Sequence, residues 1–95
     1  MELSRDELIK ETAKIASGIV DADIDPIDGC RRVWRMSSAT NHQYLPDVSG
    51  FVGVVAQWDE YPEYRDDLVG DGLDVARAFL ERHPFDGQSA GISRP

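Results

Sequence analysis

The chain has 95 residues, 41% of them hydrophobic, which is enough for one small domain with a single core. Its formal net charge of −8 at pH 7 excludes the basic face that binding to nucleic-acid phosphates requires. No run approaches the ~20 apolar residues that span a bilayer, and the acidic N-terminal residues do not have the pattern of a signal peptide. We therefore expect a cytoplasmic protein that binds neither nucleic acid nor membrane.

The first predicted helix runs from about Ser4 to Ser17. Ser4 and Glu7 have the spacing of a capping box, in which the side chain of each residue accepts a hydrogen bond from the backbone N–H of the other. Gly18 is a plausible terminator. The residues that recur at helical spacing, and that predict one buried face, are Leu8, Thr12, Ile15, Ala16 and Ile19.

The second predicted helix runs from about Pro26 to Ser37. Asp25 is a favourable N-cap, because its carboxylate can accept from the first free N–H groups and Pro26 has no N–H to leave unpaired. The predicted inward stripe consists of Ile27, Cys30, Val33 and Trp34. Cys30 is the only cysteine, so the chain cannot form an internal disulfide, and we expect its thiol to be a small buried group.

Four aspartates between residues 21 and 28 raise the question of a calcium loop. An EF-hand that starts at Asp21 needs a glycine at its sixth position and a glutamate at its twelfth, but these positions hold Pro26 and Arg32. His42 and His83 are far apart and do not have metal-ligand spacing. The sequence therefore predicts no metal site, and the aspartates at the start of the second helix are assigned to capping.

The third apolar segment, DVSGFVGVVAQWDEYP, allows two interpretations. Its valines and Phe51 have strand propensity, which favours a short strand near residues 51–57 and an α+β fold. The same segment forms one helical stripe, with Asp47 as a candidate cap, and no other part of the chain is rich in strand-forming residues. We predict a helix. The stripe residues are Val48, Phe51, Val52, Val55 and Trp58.

The segment after Pro62 is expected to form a short helical turn through Leu68, followed by a last helix from about Asp71 to Arg82. Its inward residues are Leu73, Ala76, Phe79 and Leu80. The prediction is a compact all-α bundle of about four helices over residues 1–83, in which the first two helices form an antiparallel pair, with a loose C-terminal tail at residues 84–95.

The clearest functional signal lies between residues 58 and 74. Seven carboxylates in this segment accompany a single cation, Arg65, and three aromatic rings interrupt them. Rings supply contact area, and charges steer a basic partner. The alternative is a solvated loop whose aromatic rings close the core. The predicted partner-binding surface consists of Trp58, Asp59, Glu60, Tyr61, Glu63, Tyr64, Asp66, Asp67 and Asp71.

The remaining candidates favour no catalytic chemistry. Arg31, Arg32 and Arg35 form the only basic cluster and can hold a carboxylate or phosphate, but pairing with the chain's own acids is the favoured interpretation. No glycine-rich phosphate loop is present, and Cys30 on an inward stripe has no base in a cleft beside it. We predict no catalytic residue and no cofactor.

Two strings, IASGIVDADIDPIDGCRRVWRM and DVSGFVGVVAQWDEYP, resemble a group of small acidic bacterial helical proteins. In that group an amphipathic helix leads to an "I-x-G…I-x-G-C/A-R-R" segment and then to "F-V-G-I/V", with acidic residues after it. The likeness covers roughly Ile15 to Glu60, and it brings no catalytic residues. The resemblance implies that this chain is itself an immunity- or inhibitor-type binding protein, or a protein without assigned activity. The matching residues are Ile27, Gly29, Cys30, Arg31, Arg32, Phe51, Val52, Gly53 and Val54.

These observations predict a non-enzymatic, immunity- or inhibitor-like protein whose acidic-aromatic surface docks a basic protein, for example a nuclease-type toxin. Two alternatives stay open. One is a homo-oligomeric structural protein that buries the same aromatic rings against a second copy. The other is a small enzyme that uses Cys30 or His42.

Overall fold

The structure, a computed structural model, describes residues 4–85. In this range the chain forms four α-helices, one short 3₁₀ helix and no strand. The helices are α1 (Arg5–Val20), α2 (Pro26–Ala39), α3 (Leu45–Glu60) and α4 (Arg65–Arg82), and the 3₁₀ helix Pro62–Tyr64 separates α3 from α4.

The predicted all-α bundle of four helices is confirmed. The alternative of a short strand near residues 51–57 is wrong, because these residues lie inside α3. The predicted loose tail begins at Pro84, and residues 86–95 of that tail lie outside the described range.

Both predicted N-caps are confirmed by hydrogen bonds. The Ser4 hydroxyl accepts from the Glu7 N–H at 3.1 Å, and the Glu7 carboxylate accepts from the Ser4 N–H at 3.1 Å. This backbone hydrogen bond from Ser4 lowers the pKa of Glu7. At α2 the Asp25 carboxylate accepts from the N–H groups of Ile27 and Asp28 at 3.1 and 3.2 Å. Local capping chemistry thus determines where α1 and α2 begin.

The first helix ends beyond Gly18, so the predicted terminator is wrong. The Asp23 N–H donates to the Gly18 carbonyl at 2.9 Å and the Ala22 N–H donates to the Ile19 carbonyl at 3.1 Å, which is the Schellman pattern. The residue in the left-handed conformation is Ala22, with φ of 65°. Gly18 has a packing role instead, because a Cβ there would lie 2.5 Å from Cδ1 of Ile24.

The second helix ends in the same way. The His42 N–H donates to the Ser37 carbonyl at 2.8 Å and the Asn41 N–H donates to the Ser38 carbonyl at 2.9 Å. Asn41 takes the left-handed position with φ of 56°. Asparagine tolerates this conformation better than alanine does, because its side chain can form local hydrogen bonds.

The Ala22→Gly variant should be more stable than the wild type by about 0.5–1 kcal/mol, because glycine adopts the left-handed conformation without a steric penalty from Cβ. The measurement is the urea midpoint of unfolding at constant slope. The matched control is Ala56→Gly at an exposed position inside α3, which should be less stable by about 1 kcal/mol. A loss of stability in Ala22→Gly would contradict this account of the end of α1.

The core lies where α1 packs on α2 and α4, and where α3 packs on the same two helices. The rings of Phe51 and Phe79 meet edge to face at its centre, with centroids 5.5 Å apart and an angle of 70° between them. Cys30 is fully buried, as predicted. Ala76 and Phe79 of the predicted inward face of α4 are buried, and its two leucines are half-buried against the core.

The approach of α2 to its neighbours is close, and two glycines make it possible. A Cβ on Gly29 would lie 2.5 Å from Cδ1 of Ile19. A Cβ on Gly72 of α4 would lie 3.1 Å from Cβ of Pro26 and 3.6 Å from Sγ of Cys30. The predicted inward position of Trp34 is wrong, because this side chain is 41% exposed.

The Gly29→Ala variant should lose about 1–3 kcal/mol of stability, since the added methyl group must displace packed side chains of α1. The matched control is Gly70→Ala in α4, where an added Cβ meets nothing within 4 Å. The control should gain about 0.5–1 kcal/mol from the higher helix propensity of alanine. Chemical denaturation of both variants tests the pair, and equal effects in the two would show that α2 does not pack tightly at Gly29.

The starts of α3 and α4 differ from the prediction. Asp47 does not cap α3, which begins at Leu45 and bends at Val48, where φ is −127° and ψ is 16°. The Asp47 carboxylate instead accepts two hydrogen bonds from the Arg5 guanidinium, both at 3.0 Å, so it joins the start of α1 to the start of α3. The fourth helix begins at Arg65 rather than near Asp71, because two glycines inside it do not interrupt the helix.

Candidate partner-binding surface

The predicted binding residues lie at one corner of the bundle. They run from the last turn of α3 through the 3₁₀ helix and into the first turns of α4. These residues belong to one continuous segment of the sequence, and the turn between α3 and α4 keeps them on one part of the surface. We call this the acidic-aromatic surface, and it consists of Trp58, Asp59, Glu60, Tyr61, Glu63, Tyr64, Asp66, Asp67 and Asp71.

Trp58 is the anchor of this corner. Its ring is half-buried against the core, and the Arg65 guanidinium lies over its outer face, 4.9 Å from the ring centroid. The Nε–H of Arg65 also donates to the Trp58 carbonyl at 3.2 Å. This cation–π contact and hydrogen bond join the end of α3 to the start of α4. The only cation of the acidic segment is therefore engaged within the fold, and the Trp58 ring offers little free face to a partner.

The two tyrosines occupy the outer side of the corner. Tyr61 is 43% exposed and Tyr64 is 55% exposed. Their rings meet edge to face, with centroids 6.2 Å apart and an angle of 61° between the ring planes. Of the three rings, only Trp58 therefore packs on the core in the way that the alternative interpretation requires. Tyr61 and Tyr64 present ring area to the solvent.

The carboxylates around the tyrosines are all exposed. Asp59 binds the Arg31 guanidinium of α2, with Oδ1 2.9 Å from Nη2. The others form no ion pair with any residue between positions 4 and 85. They are Glu60, Glu63, Asp66, Asp67, Asp71 and Asp74. Because unpaired charges of one sign add their fields, this corner attracts cations over distances beyond direct contact.

The basic cluster on α2 is only partly neutralised. Arg31 pairs with Asp59, as the sequence analysis favoured. Arg32 and Arg35 are exposed and form no ion pair within the described part of the chain, so the prediction that they pair with the chain's own acids is wrong for both. Sequence reasoning also missed the exposed ring of Trp34 beside them. The signal in the sequence that could have predicted this exposure is the position of Trp34 at the edge of the helical stripe.

The other candidate groups do not assemble into a reactive site. Among residues 4–85 no three His, Cys, Asp or Glu side chains are placed to hold a metal ion. The Nδ1 atom of His42 lies 3.1 Å from the Ser37 hydroxyl, but Ser37 is fully buried and a substrate cannot reach it. A groove of about 230 Å³ between α3 and α4 contains Asp47, whose carboxylate is already bound by Arg5.

The thiol of Cys30 has the properties of a packed side chain. Burial is the main cause that raises its pKa from an ordinary 9.0 to about 12, and the negative charge of Asp25 adds to the shift. A thiol reacts as the thiolate, so this group is poorly nucleophilic at neutral pH.

The native protein should resist alkylation by iodoacetamide until it unfolds, and the free energy of unfolding should fall as the pH rises from 9.0 toward 12. The sign follows because the unfolded thiol loses its proton above 9.0 while the folded thiol keeps its proton up to about 12, so high pH favours the unfolded state. Mass spectrometry measures labelling, and denaturation of wild type and Cys30→Ala isolates the contribution of the thiol. Rapid labelling of the native protein would contradict the buried assignment.

Comparison with protein-family models, with curated proteins and with solved structures finds no match to this chain. Over the described residues, no helix combines the length and the apolar composition needed to cross a membrane.

Proposed function

We propose that this chain is a non-enzymatic binding protein, immunity- or inhibitor-like, that docks a basic protein through the acidic-aromatic surface. The observation that carries the proposal is the exposure of Tyr61 and Tyr64 among carboxylates that, apart from Asp59, form no ion pair within residues 4–85. Rings supply contact area that releases water on binding, and the carboxylates select the charge of the partner.

The arrangement of Arg65 supports a basic partner. The chain already uses a guanidinium to cover the Trp58 ring at 4.9 Å, which shows how a cation and an aromatic face combine at this corner. A partner arginine or lysine can make the same kind of contact with the exposed tyrosine rings and pair with Glu60 or Glu63 beside them. The carboxylates that outnumber the arginines at this corner would repel an acidic partner.

The nuclease-type toxin is the partner class that fits this chemistry best. An enzyme that binds nucleic acid must present a basic face to the phosphates, and an acidic surface of this kind can cover that face. The net charge of −8 attracts such an enzyme from a distance and speeds association at low salt. The proposal includes a cytoplasmic location, where an inhibitor meets the toxin before the toxin reaches its substrate.

The test uses a panel of purified basic nuclease domains of the toxin type, with binding measured by surface plasmon resonance and inhibition by nuclease assay. The Tyr61→Ala/Tyr64→Ala double variant should bind its nuclease about 30-fold more weakly than the wild type, because it loses two exposed rings at the centre of the contact. The association rate of the wild type should also fall steeply between low and physiological salt.

The matched control is Glu11→Gln/Asp23→Asn, which removes two exposed charges outside the acidic-aromatic surface and should change the affinity only a few-fold. Circular dichroism verifies that each variant keeps its helices. The proposal fails if no nuclease of the panel binds, if the association rate is independent of salt, or if the tyrosine variant and the control behave alike.

A further inference from the structure

Trp34 is an exposed indole on a helix whose Ile27, Cys30 and Val33 side chains are buried. Its exposed fraction is 41%, although tryptophan is among the most buried residues on average. Arg31 lies three residues before Trp34 and four before Arg35, so the three side chains form one patch on the surface of α2. Tryptophan and arginine are the residues most enriched at the energetic centres of protein interfaces.

The ion pair between Arg31 and Asp59 places this patch relative to the acidic-aromatic surface. The two charged groups are 2.9 Å apart and join α2 to the last turn of α3. Because α2 and α3 pack side by side and only residues 40–44 connect them, the two helices run antiparallel. Trp34 therefore lies on the side of the ion pair that is nearer to residues 40–44. Tyr61 and Tyr64, which follow Asp59 in the chain, lie on the opposite side of the ion pair.

The two sides of the ion pair carry opposite charge. The basic half consists of Trp34 and Arg35, with Arg32 at its edge, and neither of these arginines has an ion pair within residues 4–85. The acidic half consists of Glu60, Tyr61, Glu63 and Tyr64, and both of its glutamates are likewise unpaired in that range. Each half combines exposed aromatic area with one sign of charge.

We propose that these two halves form a self-complementary interface whose occupant is a second copy of this chain. A two-fold axis near the Arg31–Asp59 ion pair brings the basic half of each copy onto the acidic half of the other, so one dimer contains the same contact twice. Charge complementarity selects this occupant. A purely basic partner matches only the acidic half, whereas a second copy presents both signs in the order that the whole surface requires.

The dimer uses the acidic half of the surface assigned above to a basic partner, but it does not depend on the existence of that partner. Both occupants need the tyrosines, so they compete, and the dimer is the form expected at high concentration of the chain alone. Local matching of opposite charges has to overcome the general repulsion between two molecules of charge −8 each. The equilibrium is therefore sensitive to single charge reversals at the interface.

The test is charge exchange followed by sedimentation velocity of the full chain over a range of micromolar concentrations. The first variant, Arg32→Glu/Arg35→Glu, makes both halves acidic, and the second, Glu60→Lys/Glu63→Lys, makes both halves basic. The wild type should sediment as a dimer at the higher concentrations. Each variant alone should dimerise at least about 10-fold more weakly, and an equal mixture of the two should recover the dimer.

The matched control is Arg77→Glu, a charge reversal at an exposed position of α4 outside both halves, which should dimerise like the wild type. All the substituted residues are exposed, so the helical circular dichroism should not change. A wild type that stays monomeric overturns the proposal, as does a dimer that both variants retain or a mixture of the variants that stays monomeric. The first variant keeps its acidic half, so its binding to a nuclease reports on the proposed function separately.

Discussion

The close approach of α2 to α1 and α4 is the constraint on which the rest of the structure depends. A domain of this size without a disulfide must obtain its stability from dense packing of one core. Gly29 and Gly72 remove the side chains that would otherwise hold these helices apart. The Cys30 thiol is buried beside Gly72, whereas Trp34, at the edge of the same helical stripe, is exposed.

The corner between α3 and α4 determines what the surface can do. Arg65 lies over the Trp58 ring and donates to the Trp58 carbonyl, so the cation of the acidic segment forms no ion pair with the carboxylates beside it in the described part of the chain. Trp58 thereby serves the fold, while Tyr61 and Tyr64 are left to the solvent. Aromatic side chains only three to six residues apart thus have different roles, because Trp58 packs on the core from the last turn of α3, whereas Tyr61 and Tyr64 lie at the two ends of the exposed 3₁₀ turn.

Local signals in the sequence were enough for much of the fold. The capping residues Ser4 and Asp25 act within one helical turn, so short-range spacing identified both helix starts. The end of α1 could not be read in this way, because Ala22 takes a left-handed conformation that usually signals glycine. The role of Asp47 was also hidden, since its partner Arg5 is 42 residues away in the chain.

The candidate site shows the same division between local and long-range information. Composition identified the acidic-aromatic segment, because its charges and rings are consecutive in the chain. Composition does not show which of the rings face the core. Trp58 faces it because of its contacts with Arg65 and with the core residues. The exposure of Trp34 was likewise not predicted, because its position at the edge of the stripe of α2 is compatible with either a buried or an exposed side chain.

The packing of α1 against α4 has a consequence for biosynthesis. Of the four helices, α1 is synthesised before the other three, and it packs on α4, which is synthesised after them. Until α4 has left the ribosome, the apolar side chains of α1 that pack on it stay uncovered, and exposed apolar surface of this kind makes a nascent chain prone to aggregate. The native environment of α1 is therefore completed only when α4 has been synthesised.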